Sequence, residues 1–453
     1  MLHSFVISVL FSLACIFESV VGLLQVAGRL ESHHVLFAMT GTFGNPGPYG
    51  GFIAMTAAVS ACLAWSLRGS DRWLHRVLTG LGWTATALGA IVLPASMSRG
   101  AWLALGVAGV VFGFRELGWK VLWRRYRTGG WLCSCALVLA MAGVFLLKKD
   151  SALGRLHIWQ MDLAAIAARP WTGAGAGRAM GAYGEVQAAF FANTRAPWRI
   201  RVAGCPEYPF NDFLGVGMEF GLPVMAVVCL LTGWIGFRLA RKKSPLLYGW
   251  LVLCIFALSS YPMVLWPFRV AAVLMAVGAV GIAFAGVIVA GACWLAPVQL
   301  KEQRAVDRYD HIRSLPTEGM EEAVVADYAG LYCDLHDNYR YLYDYGYALF
   351  RCGRYADAIP VLERGAGRSS DPMFWVIIGR CQEGLGRYPV AIRSLEYAWR
   401  MVPGRLYPLV LLKEMHERLG DLPGAEEYKE RARNVPLNPR NRNMMELHER
   451  IGK

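Results

Sequence analysis

The chain predicts an all-α protein: a polytopic membrane helix bundle of about eight spans over residues 1–299, followed by a helical-repeat domain over 300–453. Three observations predict it. The composition is 55% hydrophobic and 17% charged, too apolar for an ordinary soluble chain. Charge is divided unevenly: residues 301–453 hold 23 basic and 23 acidic side chains, residues 1–300 hold 23 and 10, and the whole +13 lies in the apolar part. Finally, Gly353-Arg354-Tyr355, Gly386-Arg387-Tyr388 and Gly420-Asp421-Leu422 recur at steps of 33 and 34.

Crossing a bilayer takes roughly 20 apolar residues. Runs of that kind cover 4–26, 49–67, 76–95, 100–115, 130–147, 213–237, 246–265 and 270–295. The first lacks a basic leading segment, so it reads as a membrane helix and not as a cleaved signal. Arg68, Arg72 and Arg76 follow the second run; Arg115, Lys120, Arg124, Arg125 and Arg127 follow the fourth. Arg238, Arg241, Lys242 and Lys243 follow the sixth, and Lys301 and Arg304 the eighth. Eight spans put all four loops on one side, which the positive-inside rule makes the cytoplasm. Both termini and the repeats then face the cytoplasm, while 27–48, 96–99, 148–212 and 266–269 lie outside.

The 148–212 loop runs against the trend. It carries eight basic residues (Lys148, Lys149, Arg155, Arg169, Arg178, Arg195, Arg199, Arg201) against five acids (Asp150, Asp162, Glu185, Glu207, Asp212). Loops longer than roughly 60 residues escape the positive-inside rule. An arginine-rich outer loop is a place to hold an anionic ligand at the membrane surface. Its glycine cluster, Gly173 to Gly177, lacks the preceding buried strand and the lysine of a nucleotide-binding loop.

Beyond residue 300, Ala358, Ala391 and Ala425 follow the three glycine triplets at matching positions, and a helix with small residues precedes each triplet. Period and layout resemble tetratricopeptide repeats, paired helices that bury each other's apolar faces. Such an array is a packing or protein-interaction module. A nucleic-acid partner is not expected, because the soluble part is neutral. The eleven cysteines are scattered through apolar runs, Cys133 and Cys135 within one of them, without paired CxxC spacing, so they read as apolar fillers and not as zinc ligands or a disulfide framework. No metal or cofactor is expected.

Several polar residues stand out. Arg99, in Ser98-Arg99-Gly100-Ala101-Trp102-Leu103, marks the outer mouth of the fourth span, where an arginine either snorkels to headgroups or serves a site. Arg155 and Arg169 are helix-surface or ligand-holding cations. Asp212 precedes the sixth span as a base or a helix cap. Glu219 lies inside that span, where a carboxylate is costly unless paired.

Their order carries a family resemblance. Gly41-Thr42-Phe43-Gly44-Asn45-Pro46 is followed by the Ser98–Leu103 motif, by Arg155 and Trp159, by Pro170-Trp171-Thr172-Gly173-Ala174-Gly175-Ala176-Gly177, and by Phe210-Asn211-Asp212-Phe213-Leu214 leading into Glu219-Phe220-Gly221. Over roughly residues 20–240 this set resembles the O-antigen ligase and polymerase superfamily, which includes the protein O-oligosaccharyltransferases. The repeat-bearing tail is similar to Bacteroidetes-like forms.

The resemblance implies a metal-independent glycosyltransferase of fold C type in the bacterial inner membrane. Its donor would be a glycan on undecaprenyl pyrophosphate, and its acceptor a hydroxyl of lipid A–core or of a protein. Polymerisation of lipid-linked repeat units is the second reading, and an inactive membrane scaffold recruiting glycan-assembly proteins through its repeats is the third. By motif position, Arg99, Arg155 and Arg169 would hold the pyrophosphate. Two departures accompany it. Phe210 stands where many members carry a histidine, leaving Asp212, Glu219, His157 or the pair His33 and His34 as base candidates. The family also has more spans than the eight counted here.

Overall fold

The computed structural model describes residues 2–32, 34–118, 149–194, 196–315, 321–435 and 442–452. The expected span 130–147, with Cys133 and Cys135, and also His33, lie outside the described residues. Every regular element among the described residues is helical. The first four helices are α1 (Leu2–Val26), α2 (Pro46–Leu67), α3 (Trp73–Ala95) and α4 (Arg99–Phe112). The loop contributes α5 (Lys149–Ala168), α6 (Ala179–Asn193) and α7 (Pro197–Val202). Next come α8 (Asp212–Arg241), α9 (Leu246–Ala257), α10 (Trp266–Val280) and α11 (Ile282–Ser314). The C-terminal helices are α12 (Glu321–Leu335), α13 (Tyr339–Arg351), α14 (Tyr355–Ala366), α15 (Met373–Gly384), α16 (Tyr388–Met401), α17 (Tyr407–Arg418), α18 (Leu422–Arg433) and α19 (Arg442–Gly452).

Among the described residues, four helices are long and apolar enough to cross a membrane: His3–Val26, Pro46–Leu67, Trp73–Ala95 and Asp212–Arg241. Two expected spans have a different shape. The 246–265 run is helical only to Ala257, and a short turn at Pro262–Val264 follows. The 270–295 run is two helices, α10 and α11, broken at Gly281 (φ 107°, ψ 176°). Averaged hydropathy passes over such a break, because glycine in an apolar run is still apolar.

The chain forms two compact units. One comprises Met1–Leu147, Phe210–Phe213 and Val224–Ala292; the other comprises Lys148–Pro209, Leu214–Pro223 and Cys293–Lys453. A cut between 299 and 300 therefore leaves the 148–209 loop apart from the repeats with which it clusters.

In the first unit, α2 is the central helix, burying Tyr49, Ile53, Met55 and Leu63 completely or nearly so. Along α1, Ser4, Ser8 and Ser12 form a buried stripe. Ser8 Oγ donates to Ser4 O at 2.7 Å and Ser12 Oγ to Ser8 O at 3.1 Å, so these hydroxyls satisfy themselves on the preceding turn. Helix α8 keeps large apolar side chains such as Leu230, Leu231 and Phe237 exposed, as a lipid-facing helix does.

In the second unit, the repeats follow the period read from the sequence. Gly353, Gly386 and Gly420 take φ of 72°, 73° and 75°, the left-handed geometry that ends the first helix of each pair. Ala358, Ala391 and Ala425 are buried on the helices that follow these glycines. The loop helices have their own core, in which Met161, Ile166, Met180, Tyr183 and Met218 pack together.

That core holds an unusual polar group. Gln187 is fully buried; its Oε1 accepts from Tyr183 Oη at 2.6 Å and sits 3.0 Å from His157 Nε2, while its Nε2 donates to Gly204 O at 2.9 Å. Asp162 is also fully buried, and neither carboxyl oxygen has a hydrogen-bond partner among the described residues. Burial pushes the Asp162 carboxyl up to about 8. An unfolded aspartate titrates near 3.9, so the folded chain keeps a proton that the unfolded chain gives up. Stability from this group is therefore greatest at low pH and falls as pH rises from about 4 to about 8. Asp162→Asn should flatten that fall and raise Tm at pH 8.5 more than at pH 5.5, read by thermal unfolding of detergent-solubilised protein. An unchanged slope would show that the carboxyl is already ionised in the fold.

Candidate active site

The candidate residues are positioned by a helix that breaks. At Gly221 the backbone of α8 turns to φ 80°, ψ 175°, and Pro223 follows with no N–H. An unbroken helix would bond Met218 O to the Leu222 N–H, and Pro223 leaves Glu219 O without its helical donor in any case. Both carbonyls are satisfied from the glycine-rich turn: Ala174 N donates to Met218 O at 2.8 Å, and Gly175 N donates to Glu219 O at 2.9 Å. The released Leu222 N in turn donates to Pro170 O at 2.7 Å. Thus the Pro170–Gly177 and Glu219–Pro223 motifs are two halves of one backbone lock, with each supplying what the other lacks.

The lock fixes its own residue types. Gly173 has φ +66°, and a Cβ there would lie 2.3 Å from the Glu219 backbone carbon. At Gly221 a Cβ would meet the Trp171 carbonyl carbon at 2.6 Å. The glycines are used for close approach, and the Gly177 amide reaches the Glu219 carboxylate. Arg169, at the end of α5, opens this turn: Gly173 N donates to Arg169 O at 3.0 Å. The Arg169 guanidinium lies exposed against Glu185 at 3.1 Å. An exposed pair of that kind contributes about 0–1 kcal/mol and yields readily to a better anion. Arg155 is half-buried on α5.

The first unit holds the other candidates. Asp212 opens α8, but the cap is Asn211, whose Oδ1 accepts from Phe213 N at 3.0 Å. Asp212 instead accepts the Met263 N–H at 2.9 Å through Oδ2. Arg269 grips the same short turn from its carbonyl side, donating to Met263 O at 2.5 Å and Val264 O at 3.1 Å. Phe210 packs edge-on against Tyr261, with centroids 5.6 Å apart, and Tyr261 Oη accepts from Asn45 Nδ2 at 3.2 Å. Asn45 also caps α2 through Gly47 N at 2.9 Å. The preceding Gly41-Thr42 is held by α1: the buried Glu18 accepts from Thr42 N at 3.1 Å and Thr42 Oγ1 at 2.6 Å, and Gln25 Oε1 takes Gly41 N at 2.8 Å. Arg99 is half-buried at the first position of α4.

The structure thus places Arg99 and Asp212 in one unit, and Arg155, Arg169 and Glu219 in the other. Within the second unit it joins Arg169 and Glu219 through the glycine turn. His157 is 1% exposed and tied to Gln187, which removes it from the bases open to a substrate. His34 lies in an exposed segment where its Nδ1 accepts from Leu36 N at 3.1 Å. Sequence reasoning missed Glu18, Tyr261 and Arg269. Glu18 alone had a signal, being an acid inside an apolar run. Among the described residues, no group of three or more His, Cys, Asp or Glu could hold a metal ion.

One unit of apolar helices, and a second in which an arginine-bearing loop and a broken helix segment cluster with a helical-repeat array, define the class of this protein. Residues 84–229 match the family model described as O-Antigen ligase, and the segment is a domain of that family. No curated protein matches the chain. Similar solved structures include PcrH in complex with the chaperone binding region of PopB, 26% identical over 26% of this chain and 93% of that one, with TM-score 0.24. The Yersinia enterocolitica type III secretion translocator chaperone SycD is 24% identical over 27% and 92%, with TM-score 0.24. MamA 41-end from Desulfovibrio magneticus RS-1 is 18% identical over 30% and 75%, with TM-score 0.26.

If the lock is what fixes α8, Gly173→Ala and Gly221→Ala should each lose about 1–3 kcal/mol and unfold at lower temperature. Gly177→Ala, also left-handed at φ +69° but facing open space, should lose less. Thermal scanning in detergent ranks the three, and equal losses would reduce the lock to three separately strained turns.

Proposed function

We propose that this protein transfers a glycan from undecaprenyl pyrophosphate to an acceptor hydroxyl on lipid A–core or a protein, at the outer face of the bacterial inner membrane. The coarser statement, a membrane protein of ligase or polymerase type, follows from the family match. One observation carries the finer one: Arg99, Arg155, Arg169, Asp212 and Glu219 all fall inside the matched residues 84–229.

In the reaction the acceptor oxygen forms a bond to the anomeric carbon, and the bond from that carbon to the pyrophosphate oxygen breaks. The acceptor proton passes to a carboxylate, and undecaprenyl pyrophosphate leaves with the electron pair. Charge develops on the leaving group, so the decisive help is cationic, and guanidinium forks meet diphosphate oxygens two at a time. Arg99 and Arg155 take that role in our reading, with Arg169 as a third. Asp212 and Glu219 are the carboxylates for the proton, and Phe210 can take none.

Deleting the gene should leave undecaprenyl-linked glycan accumulating with its acceptor bare. Arg155→Ala and Arg99→Ala should each reproduce that defect, with roughly 100-fold or greater loss of transfer, while the protein still inserts. Arg169→Ala should lose under about tenfold, because Arg169 already shares its charge with Glu185. Full complementation by Arg155→Ala would remove it from the pyrophosphate site. Glycan bands collapsing to single repeat units, with the acceptor still decorated, would make the enzyme a polymerase.

A further inference from the structure

We infer that the helical repeats lie on the same side of the membrane as the arginine-rich loop, outside the cytoplasm, and that loop and repeats form one body. The eight-span count had put them on opposite sides. The inference does not depend on the transfer reaction; it follows from packing and from where the chain must cross.

The packing is a built interface. Gly181 of α6 approaches the repeats so closely that a Cβ would lie 2.2 Å from Gly367 O, and one at Gly184 would lie 2.7 Å from Met401 Cε. The buried Gln187 amide completes its hydrogen bonding on Met401 O at 2.5 Å. Ser370 Oγ donates to Pro206 O at 2.7 Å, Tyr339 Oη to Glu207 at 2.7 Å, and Arg405 to Cys205 Sγ at 2.9 Å. Without these contacts, Gln187 would hold a buried donor with its second partner gone, a cost of about 1–3 kcal/mol. Residues 148–209 and the repeats beyond Lys301 therefore belong to one compartment.

The crossings between them must then be even in number, and the first unit counts them. Helix α8 runs from Asp212 to Arg241, and α9 returns, because the Met263 amide bonds Asp212 at the start of α8. Helix α10 leaves again: Lys242 Nζ, just past the end of α8, donates to Gly278 O at 3.2 Å. Three legs end on the side opposite the loop. The break at Gly281 begins a fourth, because residues 282–300 form a run of 19 with no charged side chain. As a helix it is about 28 Å long, near the thickness of the hydrocarbon core. The sixth and eighth expected spans had enclosed an odd count because α10 and the start of α11 had been read as one run.

Charge agrees. Moving residues 301–453 outward carries 23 basic and 23 acidic residues with it, and long neutral domains translocate without regard to the positive-inside rule. Lys301, which follows the eighth expected span, is paired with Asp334 at 2.7 Å. The three strongly basic loops, after Leu67, Phe112 and Arg241, stay in the cytoplasm.

The test is sidedness in intact spheroplasts with a membrane-impermeant maleimide. Cys333 is exposed on α12, and Ala176→Cys places a thiol at an exposed position of the loop. Lys243→Cys marks the opposite side, and Cys333→Ser identifies the Cys333 signal. Labelling of Cys333 and Ala176→Cys before lysis, with Lys243→Cys labelled only after it, is expected. Cys333 labelled only after lysis overturns the inference, whatever the transfer activity of the strain.

Discussion

The break in α8 is the constraint on which the rest is built. A helix that loses one N–H to proline and turns at a glycine leaves carbonyls that need donors, and an apolar surrounding raises the cost of leaving them bare. Here the donors come from a turn some forty residues earlier, and the interlock is reciprocal because Leu222 N bonds back to Pro170 O. Two motifs far apart in sequence are thereby fixed to each other by backbone alone. Side chains in between can be chosen for chemistry: Arg169 opens the turn, and Glu219 lies where its carboxylate meets the Gly177 amide.

The proposed transfer asks more of cations than of a base, which suits a chain with Phe210 where a histidine was expected. A base positioned on a hydroxyl contributes roughly 10²–10⁴ in rate. In the proposed transfer the pyrophosphate leaving group is stable as an anion, so bond breaking would run ahead of proton loss and the cations would carry the larger share. At position 210 the structure has an aromatic edge contact to Tyr261 in place of a titrating group, and Tyr261 is held by Asn45. Asp212 is kept beside this pair by the turn at Met263 and steadied by Arg269 on the turn's other face. A carboxylate fixed by one oxygen retains the other for a proton.

How much of this was legible follows from the range of each interaction. The repeats were legible because their period is local: one left-handed glycine and one buried alanine per unit of 33 or 34 residues. Helices α1, α2, α3 and α8 were legible because length and apolarity suffice. The break at Gly281 was not, since hydropathy counts the residue and not its dihedrals. The lock was half legible: both motifs were visible, and only the structure shows that they satisfy one another. Glu18 on Thr42 and Gln187 on Met401 are contacts over 24 and 214 residues, and no spacing in the sequence announces them.

The seam between loop and repeats also changes what the arginine-rich loop is. Arg201 pairs with Asp150, Arg199 bonds Gln160 at 2.6 Å and stacks over Phe190 and Trp198, and Arg169 pairs with Glu185. Three of the cations that made the loop look like a ligand site thus have partners within the loop, in exposed contacts that contribute little to stability. Half-buried Arg155 differs in setting from these surface pairs. Packed on a neutral repeat array, the loop offers the anionic ligand of the proposed function a fixed surface. Electrostatic stabilisation of a transition state depends on that fixity, because groups already in place cost no reorganisation when charge develops.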